Sequence, residues 1–468
     1  MKKQCKTEAK LSRRSFLAGA AGGMAVLAAS QNQGCFSIVP RHVVARSRQL
    51  APSDKMNIAC VGVGGMQGAS DVNNVSSENI YAICDVDENF LNKSAEKYPQ
   101  AKKYRDFRVM LDKEYKNLDG ITITIPDHMH ATVALWAMER GLHVHCQKPL
   151  AQSIWECRQL AKAAQKYKVA TQMGNQGYSH PATRIASETI WNGDLGEIKE
   201  VHGMNGGGFA RGVKAWPTGE ELPRTLDWEL WTGRAQMHAY SAKIAPIQWR
   251  GFLDYGTMMI GDWGVHIMGP ANWGLQLTAP LSVECIAVDE VNDVTYPHYA
   301  CRFEFGERPN TFVPGGKMPP VTVYWYEGKM CSKFKAPEGL TPEDVKPYNE
   351  VFVGTKGFMG TTGRGEGVRL MPEAKMKDYK RPPEVIERSP GHFKDWIRAC
   401  KGGPAACSNF SVSAPYTEWM LLGTICWRFP NEKLLWDSKN MRFTNNEKAN
   451  AFVKPLFRKG WEMKEIKV

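Results

Sequence analysis

Short apolar segments alternate with longer, helix-like polar segments between residues 56 and 175. The apolar segments have the length of buried strands and cover residues 56–61, 80–84, 120–125, 143–146 and 169–173. The helix-like segments include residues 90–98, 130–140 and 153–167. Strands that alternate with helices in this way predict an α/β fold with a parallel, doubly wound sheet.

The pattern changes beyond Gly193, where alternating, strand-like segments predominate. These segments cover residues 197–204, 282–288, 295–305 and 321–326, and helix-like segments return at residues 392–401 and 415–426. We therefore predict two domains, the first over residues 56–178 and the second over residues 179–468.

The first residues of the chain resemble an export signal. Arg13 and Arg14 form a twin arginine, and an apolar stretch over residues 16–29 follows them. This stretch is shorter than the ~20 residues that a stable membrane span needs, and small residues lie at its end. We expect residues 1–35 to direct the folded protein to the periplasm, with residues 36–55 as a linker. An ordinary secretory signal is the alternative.

Composition places the rest of the chain among globular proteins. Of the 468 residues of the whole chain, 43% are hydrophobic and 23% are charged, which excludes a disordered chain. The net charge is +12, but much of the excess comes from Lys and Arg within residues 1–14, and the remainder is dispersed. A dispersed excess is typical of a solvated surface, so we do not expect nucleic-acid binding.

The twelve cysteines predict buried free thiols rather than disulfides or a metal site. Cys60, Cys84 and Cys146 lie within or at the end of apolar strand segments. The sequence contains no Cys-x-x-Cys pair and no Cys/His set with zinc-finger spacing. Cys35 is a candidate for lipid attachment, but the residues just before it include no aliphatic side chain, which disfavours an anchor.

A glycine-rich turn follows the first predicted strand. Gly62 and Gly64 lie where the backbone must approach a dinucleotide's pyrophosphate, but Gln67 stands at the third glycine position and Gly68 comes one residue later. Asp85 ends the second predicted strand, where a carboxylate binds ribose hydroxyls and repels a 2′-phosphate. The turn and the acid together favour NAD over NADP. A purely structural turn and a helix-capping role for Asp85 are the alternatives.

Three later segments resemble the motifs of one family. Residues 124–130 read Thr-Ile-Pro-Asp-His-Met-His, residues 147–149 read Gln-Lys-Pro, and residues 262–266 read Asp-Trp-Gly-Val-His. In this order they resemble the T-P-x-x-x-H, E-K-P and D-x-x-x-H motifs of the Gfo/Idh/MocA oxidoreductases. Two departures matter: Gln147 replaces the family's glutamate, so any role of that carboxylate is lost, and Gln67 alters the turn beside the pyrophosphate.

The resemblance implies an N-terminal Rossmann domain and a C-terminal α/β domain with an open, mostly antiparallel sheet that forms one wall of the substrate pocket. We expect a helix or the C-terminal segment to pack back on the Rossmann domain, and the chain to form a homo-oligomer. The residues expected at the cofactor are Gly62, Gly64, Met66, Gln67, Asp85, Pro126, Asp127, His130, Gln147, Lys148 and Asn175.

Three side chains of these motifs suit the oxidation of an alcohol, which needs a base for the hydroxyl proton and a cofactor that accepts hydride. We expect His266 to be that base and Lys148 to hydrogen-bond the reacting oxygen. Asp262 precedes His266 by four residues, so its carboxylate is expected to orient the imidazole or position the substrate. A surface lysine and an exposed Asp–His pair on a helix are the alternatives.

Six of the fifteen tryptophans fall within residues 216–273, and aromatic faces stack on sugars, although core packing also explains tryptophan. We predict an NAD-dependent oxidoreductase that acts on a sugar or sugar derivative. Residues 266–270, His-Ile-Met-Gly-Pro, also resemble the H-x-x-G-P of NAD-dependent glycoside hydrolases, which oxidise C3, eliminate, add water and reduce again. Such a redox-neutral hydrolase is one alternative, and a non-catalytic sugar-binding protein is the other.

Overall fold

The computed structural model describes residues 54–467, and a six-stranded parallel sheet occupies the first part of that range. Its strands lie in the order β3-β2-β1-β4-β5-β6, so the winding reverses between β1 and β4. The strands are β1 (Asn57–Val61), β2 (Asn79–Cys84), β3 (Lys102–Tyr104), β4 (Gly120–Ile123), β5 (His143–Cys146) and β6 (Thr171–Met173). The predicted parallel, doubly wound sheet is confirmed.

Strand β3 has no counterpart among the predicted strands. It lies at the edge of the sheet, and Lys102 and Lys103 are exposed. Charged side chains protect sheet edges from pairing with other chains, so such a strand contains no apolar segment for the pattern to reveal. Lys102 is instead held by an ion pair with Glu114, at 2.8 Å between nitrogen and oxygen.

Helices connect the strands of this sheet, and side-chain caps mark where several of them begin. Asp87 and Asp106 each accept a backbone N–H at a helix start, and Ser153 forms a reciprocal capping box with Glu156. The five α-helices of this region are Gly68–Asn74, Glu88–Lys97, Phe107–Glu114, Asp127–Glu139 and Ile154–Tyr167.

A second sheet follows, with nine strands in the order β15-β14-β13-β7-β12-β9-β8-β16-β17. Only β7 and β12 pair in parallel among the neighbours of this described sheet, and the other pairs are antiparallel. Its strands are β7 (Ile198–Asn205), β8 (Ser282–Val288), β9 (Tyr299–Phe305), β12 (Val321–Glu327), β13 (Glu350–Gly354), β14 (Phe358–Thr362), β15 (Gly367–Met371), β16 (Lys433–Asp437) and β17 (Arg442–Phe443). Between them, β10 (Arg308–Pro309) and β11 (Lys317–Met318) form a separate short ribbon. The predicted α/β class with a mostly antiparallel second sheet is confirmed.

The longest helix of the second region begins earlier than the sequence pattern predicts. It spans Phe410–Cys426, whereas the prediction places its start at Pro415. Asn409 provides the actual start, since its side chain accepts the backbone N–H of Ser411 at 3.0 Å. The other α-helices here are Pro181–Trp191, Trp228–Thr232, Val265–Ile267, Gly269–Gly274, Pro342–Val345, His392–Cys400 and Glu447–Asn450, and a π-helical turn spans Ile260–Gly264.

The helix His392–Cys400 packs on the parallel sheet although it lies late in the chain. Trp396 is fully buried, and it belongs to the same apolar core as Ile58 and Cys60 of β1. Beside it, the rings of His145 and His392 approach to 3.3 Å between their Nε2 atoms. A distant segment therefore completes the core of the parallel-sheet region.

The ten cysteines that lie within residues 54–467 are all free thiols, and seven of them are buried. This agrees with the expectation of buried thiols rather than disulfides for that part of the chain. Cys35 and the expected export signal lie outside the described residues. Within residues 54–467, no helix is long and apolar enough to cross a membrane.

Candidate active site

A cavity of about 590 Å³ opens where β1, β2, β4 and β5 end, at the point where the winding of the parallel sheet reverses. Open α/β sheets bind their ligands at this place. The glycine-rich turn after β1 lines the cavity together with Asp85, and Lys148, Asp262 and His266 line it as well. The structure thus brings residues predicted for cofactor binding and residues predicted for proton transfer to one cavity.

The glycine-rich turn packs closely against the chain around it, and larger residues at Gly62 and Gly68 would clash with backbone atoms. Gly62 has φ +78°, and a Cβ built on it would lie 2.1 Å from the backbone oxygen of Thr124. A Cβ on Gly68 would lie 2.5 Å from the backbone oxygen of Gly62, so Gly68 permits the close packing of helix on strand. Gly64 and the exposed Met66 also line the cavity. Despite its irregular spacing, the turn fits a dinucleotide.

Asp85 lies at the end of β2 and borders the cavity. Its Oδ2 accepts the backbone N–H groups of Val63 at 2.9 Å and Gly64 at 3.2 Å. Burial raises the pKa of Asp85 to about 6, against the opposing effect of these hydrogen bonds and that from Asp87. The carboxylate therefore fixes the glycine turn and also stands where ribose hydroxyls are bound in this type of sheet.

Sequence reasoning missed a buried carboxylate that joins several expected cofactor residues. Asp71 is 1% exposed and lies on the helix Gly68–Asn74. It accepts three hydrogen bonds, each of 2.8 Å, from the side chains of Gln67, Thr124 and Gln147. The two glutamines that depart from the family pattern thus share one acceptor. The spacing of four residues between Gln67 and Asp71 on a helix was the only local signal for this contact.

Lys148 follows β5 and contacts Asp262 twice. Its Nζ donates to the backbone oxygen of Asp262 at 2.8 Å and forms a close ion pair with the carboxylate. Arg250, which sequence reasoning missed, is a second cation there, with its Nε 3.5 Å from Oδ1. Burial alone would raise the pKa of Asp262, but the charges of Lys148 and Arg250 outweigh it and lower that pKa. Asp262 is therefore a carboxylate that holds two cations at the cavity.

His266 is 4% exposed, and its Nδ1 has no hydrogen-bond partner within the described chain. Burial above all, and then the charges of Lys148 and Arg364, keep the pKa of His266 well below its ordinary value. The ring is thus neutral at neutral pH, as a general base must be. No hydrogen bond joins it to Asp262 in residues 54–467, so the carboxylate positions Lys148 rather than the imidazole. The π-helical turn at Ile260–Gly264 carries Asp262 and leads directly into His266.

The remaining predicted residues divide into two groups. Pro126, Asp127 and Gln147 line the cavity, and Thr257 donates to Asp127 at 2.6 Å. Burial, with a further contribution from the charge of Asp262, raises the pKa of Asp127 to about 7. His130 and Asn175 do not line the cavity.

Both of those residues instead support segments beside the cavity. The ring nitrogens of His130 lie 2.7 Å from the backbone oxygens of Pro149 and Ile125, so the ring ties the two motif segments together. Asn175 is fully buried, and Ser408 donates to its side-chain oxygen at 2.5 Å.

The six clustered tryptophans also separate. Trp231, Trp249 and Trp263 line the cavity, and Arg250 lies 4.2 Å above the ring of Trp249. The other three pack elsewhere: Trp216 and Trp228 belong to an aromatic core with Tyr255, and Trp273 contacts Tyr178. Trp231 and Trp249 also belong to the buried core that contains Trp228, so core packing accounts for most of the cluster.

Two models of the Gfo/Idh/MocA oxidoreductase family match this chain. The model of the NAD-binding Rossmann fold matches residues 56–175, and the model of the C-terminal alpha/beta domain matches residues 197–337. Together they cover more than half of the chain.

Individual relatives are more distant. The inositol 2-dehydrogenase of Salmonella typhimurium is 29% identical over 176 residues, 36% of this chain and 51% of that protein. A Shewanella protein, glycosyl hydrolase family 109 protein 1, is 26% identical over 209 residues, 41% of this chain and 44% of its own length. The matched part of the chain thus spans about half the length of these relatives.

A solved structure shares the fold. The inositol dehydrogenase homologue of Azotobacter vinelandii, complexed with NADH and myo-inositol, has a TM-score of 0.53 at 16% identity. The match covers 82% of this chain and 98% of that one.

Proposed function

Because this chain belongs to the Gfo/Idh/MocA family of NAD-binding oxidoreductases, we propose that it oxidises a hydroxyl group of a sugar or sugar derivative with NAD. The observation that carries the proposal is the shared cavity, which the glycine turn, Lys148 and His266 all line. A base, an oxygen-binding cation and a dinucleotide turn in one cavity are what alcohol oxidation requires.

NAD supplies the hydride acceptor when it is bound, and the side chains of this chain handle the proton. Neutral His266 takes the proton of the substrate hydroxyl, and no hydrogen bond in the described chain occupies its Nδ1. Lys148 donates a hydrogen bond to the reacting oxygen and stabilises the negative charge that develops there. Asp262 holds Lys148 in place through its carboxylate and its backbone oxygen.

A sugar is the preferred substrate class for two reasons. Trp231, Trp249 and Trp263 are among the residues that line the cavity, and aromatic side chains suit the C–H faces of a sugar ring. The names of the relatives point the same way, since one is an inositol 2-dehydrogenase and another a glycosyl hydrolase. For the cofactor, Asp85 favours NAD over NADP because its carboxylate repels a 2′-phosphate.

A redox-neutral glycoside hydrolase is the second candidate. The Shewanella relative carries a glycosyl hydrolase name, and Gly269 and Pro270 come three and four residues after the proposed base. In that reaction, oxidation at C3 acidifies the C2 proton, elimination expels the aglycone, water adds, and the ketone is reduced. Exchange of the C2 hydrogen with solvent deuterium distinguishes this cycle from plain oxidation, which leaves C2 untouched.

Export of the folded protein is part of the proposal and rests on Arg13 and Arg14. A protein exported by the twin-arginine route folds in the cytoplasm before export and can trap its cofactor there, and free NAD is scarce outside. Such an enzyme turns over best when each oxidation is followed by a reduction in the same site. Replacement of both arginines by lysine is expected to retain the protein in the cytoplasm, and unchanged export would contradict the twin-arginine assignment.

The test of the main proposal starts from purified native protein. Denaturation is expected to release NAD or NADH, and a panel of free sugars and aryl glycosides is expected to include substrates that the native protein converts. Recovery of mainly NADP would contradict the role of Asp85. Bound NAD without conversion of any sugar, and with simple sugar binding, would favour a non-catalytic binding protein instead.

A further inference from the structure

The cavity contains a cation that the proposed chemistry does not use. Arg364 lies on the turn between β14 and β15 and lines the cavity beside Trp263 and His266. Its guanidinium carbon stands 5.7 Å above the ring of Trp263, and its charge contributes to the low pKa of His266. Arg364 is therefore on the substrate side of the cavity, close to the proposed base.

Arg364 has no carboxylate partner and no hydrogen bond from its guanidinium within residues 54–467, whereas Lys148 and Arg250 share Asp262. Three cations thus line this end of the cavity against the ionised Asp262 and the buried Asp127, whose pKa is raised to about 7. Arg364 is only partly exposed, so solvent rather than a protein carboxylate balances its charge until a ligand binds. The imbalance points to an anionic group on the ligand.

The backbone holds this arginine in a fixed place. Gly363 and Gly365, on either side of it, both have positive φ, at +55° and +74°. A Cβ on Gly177 would lie 1.7 Å from the backbone oxygen of Arg364, so the turn packs tightly on the segment after β6. A Cβ on Gly365 would lie 2.8 Å from the hydroxyl oxygen of Thr183. The guanidinium therefore extends from an anchored turn and not from a free loop.

We propose that the sugar substrate carries an anionic substituent, such as the carboxylate of a uronic acid, and that Arg364 binds this group. The inference rests on the proposed function, because it assigns the substrate class of the same cavity. A guanidinium offers two parallel N–H donors that match a carboxylate or sulfate. A sugar acid and a sugar sulfate share this chemistry, and the experiment separates them.

Calorimetric binding to the NAD-loaded protein tests the inference independently of turnover. The probes are matched sets in the gluco, galacto and manno series, each with the neutral methyl glycoside, its uronic acid and its 6-sulfate. The proteins are the wild type, Arg364→Gln, Arg364→Lys and the control Arg369→Gln. Arg369 lies on the adjacent β15 and pairs with Glu373 at the surface, outside the cavity lining.

We expect at least one acidic sugar to bind the wild type on the order of 10- to 100-fold more tightly than its neutral counterpart, as a charged hydrogen bond provides. Arg364→Gln is expected to abolish that preference while it leaves binding of the neutral sugar unchanged. Arg364→Lys is expected to restore part of it, and Arg369→Gln is expected to behave like the wild type. The better-bound member of the set, uronic acid or sulfate, identifies the anion.

Two results would overturn the inference. One is that no acidic sugar binds more tightly than its neutral counterpart, whether or not neutral sugars are converted. The other is that Arg364→Gln loses NAD during purification, which would make Arg364 a cofactor contact. Conversion of neutral sugars with no acidic preference would leave the proposed oxidoreductase intact, whereas acidic-sugar binding without any redox change would contradict only the proposed function.

Discussion

Two buried ion pairs of this protein have similar chemistry and different surroundings. Arg234 and Glu156 lie 2.9 Å apart with side chains 2% and 0% exposed, and Arg234 also donates to Gln152 and to the backbone oxygen of His128. Lys148 and Asp262 are also largely buried, but they border the cavity and a second cation joins them. We call Arg234–Glu156 the closed pair, because neither residue lines the cavity. We call Lys148–Asp262 the open pair, because both residues line it.

This difference separates structural from chemical roles better than burial or pairing does. Glu156 and Arg234 join the helix Ile154–Tyr167 to the segment that follows Trp228–Thr232, and neither residue lines the cavity. Lys148, Asp262, His266 and Arg364, in contrast, all line the cavity, and Arg364 has no ion-pair partner among the described residues. Titratable groups that meet at a cavity, rather than buried unpartnered atoms alone, mark the active site.

The largest expected effect lies in the closed pair. Glu156→Gln leaves the Arg234 guanidinium buried without its counter-charge, which is expected to lower the free energy of unfolding by about 3–5 kcal/mol. Urea denaturation measures this, with Glu447→Gln as the control because its pair with Arg442 is exposed and is expected to contribute under about 1 kcal/mol. Turnover per folded molecule is expected to stay unchanged, and loss of turnover at full folding would remove the contrast between the pairs.

At the cavity, substitutions are expected to lower turnover rather than the free energy of unfolding. Lys148→Ala and His266→Ala are each expected to lower kcat on the order of 10²–10³-fold, because they remove an oxygen-binding cation and a general base. Both variants are expected to retain NAD and to unfold near the wild-type urea concentration. Turnover close to that of the wild type in either variant would remove that residue from the proposed mechanism.

The Asp71 network sharpens the comparison, because it is buried yet adjoins the cofactor turn. Gln147→Glu would place two carboxylates together, and Asp71→Asn would remove the acceptor of three hydrogen bonds. Each change is expected to weaken NAD binding on the order of tenfold. The double variant Asp71→Asn/Gln147→Glu restores one carboxylate and one amide and is expected to recover much of the affinity. Purely additive losses would show that the two side chains act separately.

A similar but smaller loss is expected at the ribose end. Asp85→Asn is expected to weaken NAD binding by several-fold, on the scale of a hydrogen bond to a charged group, and to reduce discrimination against NADP. Titration of apoprotein with NAD and with NADP measures both effects. An unchanged ratio of the two affinities would assign Asp85 only to the glycine turn, where it accepts from Val63 and Gly64.

The smallest expected effect is a displaced pH profile. Burial and the charges of Lys148 and Arg364 lower the pKa of His266, so the neutral base persists as pH falls through the ordinary imidazole value of about 6.5. In NAD-saturated protein, the acid limb of kcat/KM is therefore expected below that value. A limb at or above it would point to a different base, such as Asp127, whose pKa is raised to about 7.

The sequence predicted those parts of the fold that depend on local pattern. Buried strands such as β1 and β4 are mostly apolar, and Gly62 indicates a turn whose positive φ favours glycine. The sequence pattern did not predict β3, because its lysines face solvent at the edge of the sheet.

The same division holds for the candidate site. Motif residues such as Lys148 and His266 were predicted because they stand in recognisable segments. Arg250, Arg364 and Asp71 were not, because each reaches the cavity or its turn through tertiary contacts from a segment without a motif. Their partners lie up to 76 residues away for Asp71, a distance that no local pattern spans.

The most direct test of the central claim is rapid mixing of NAD-loaded protein with a sugar substrate while the absorbance of reduced nicotinamide is followed. The wild type is expected to show a rise that slows when the carbon-bound hydrogen is replaced by deuterium, because that hydrogen moves as hydride. His266→Ala is expected to retain NAD and show almost no rise. An equal rise in both proteins, or none in the wild type with any sugar that it converts, would contradict the proposal that His266 supports hydride transfer in this cavity.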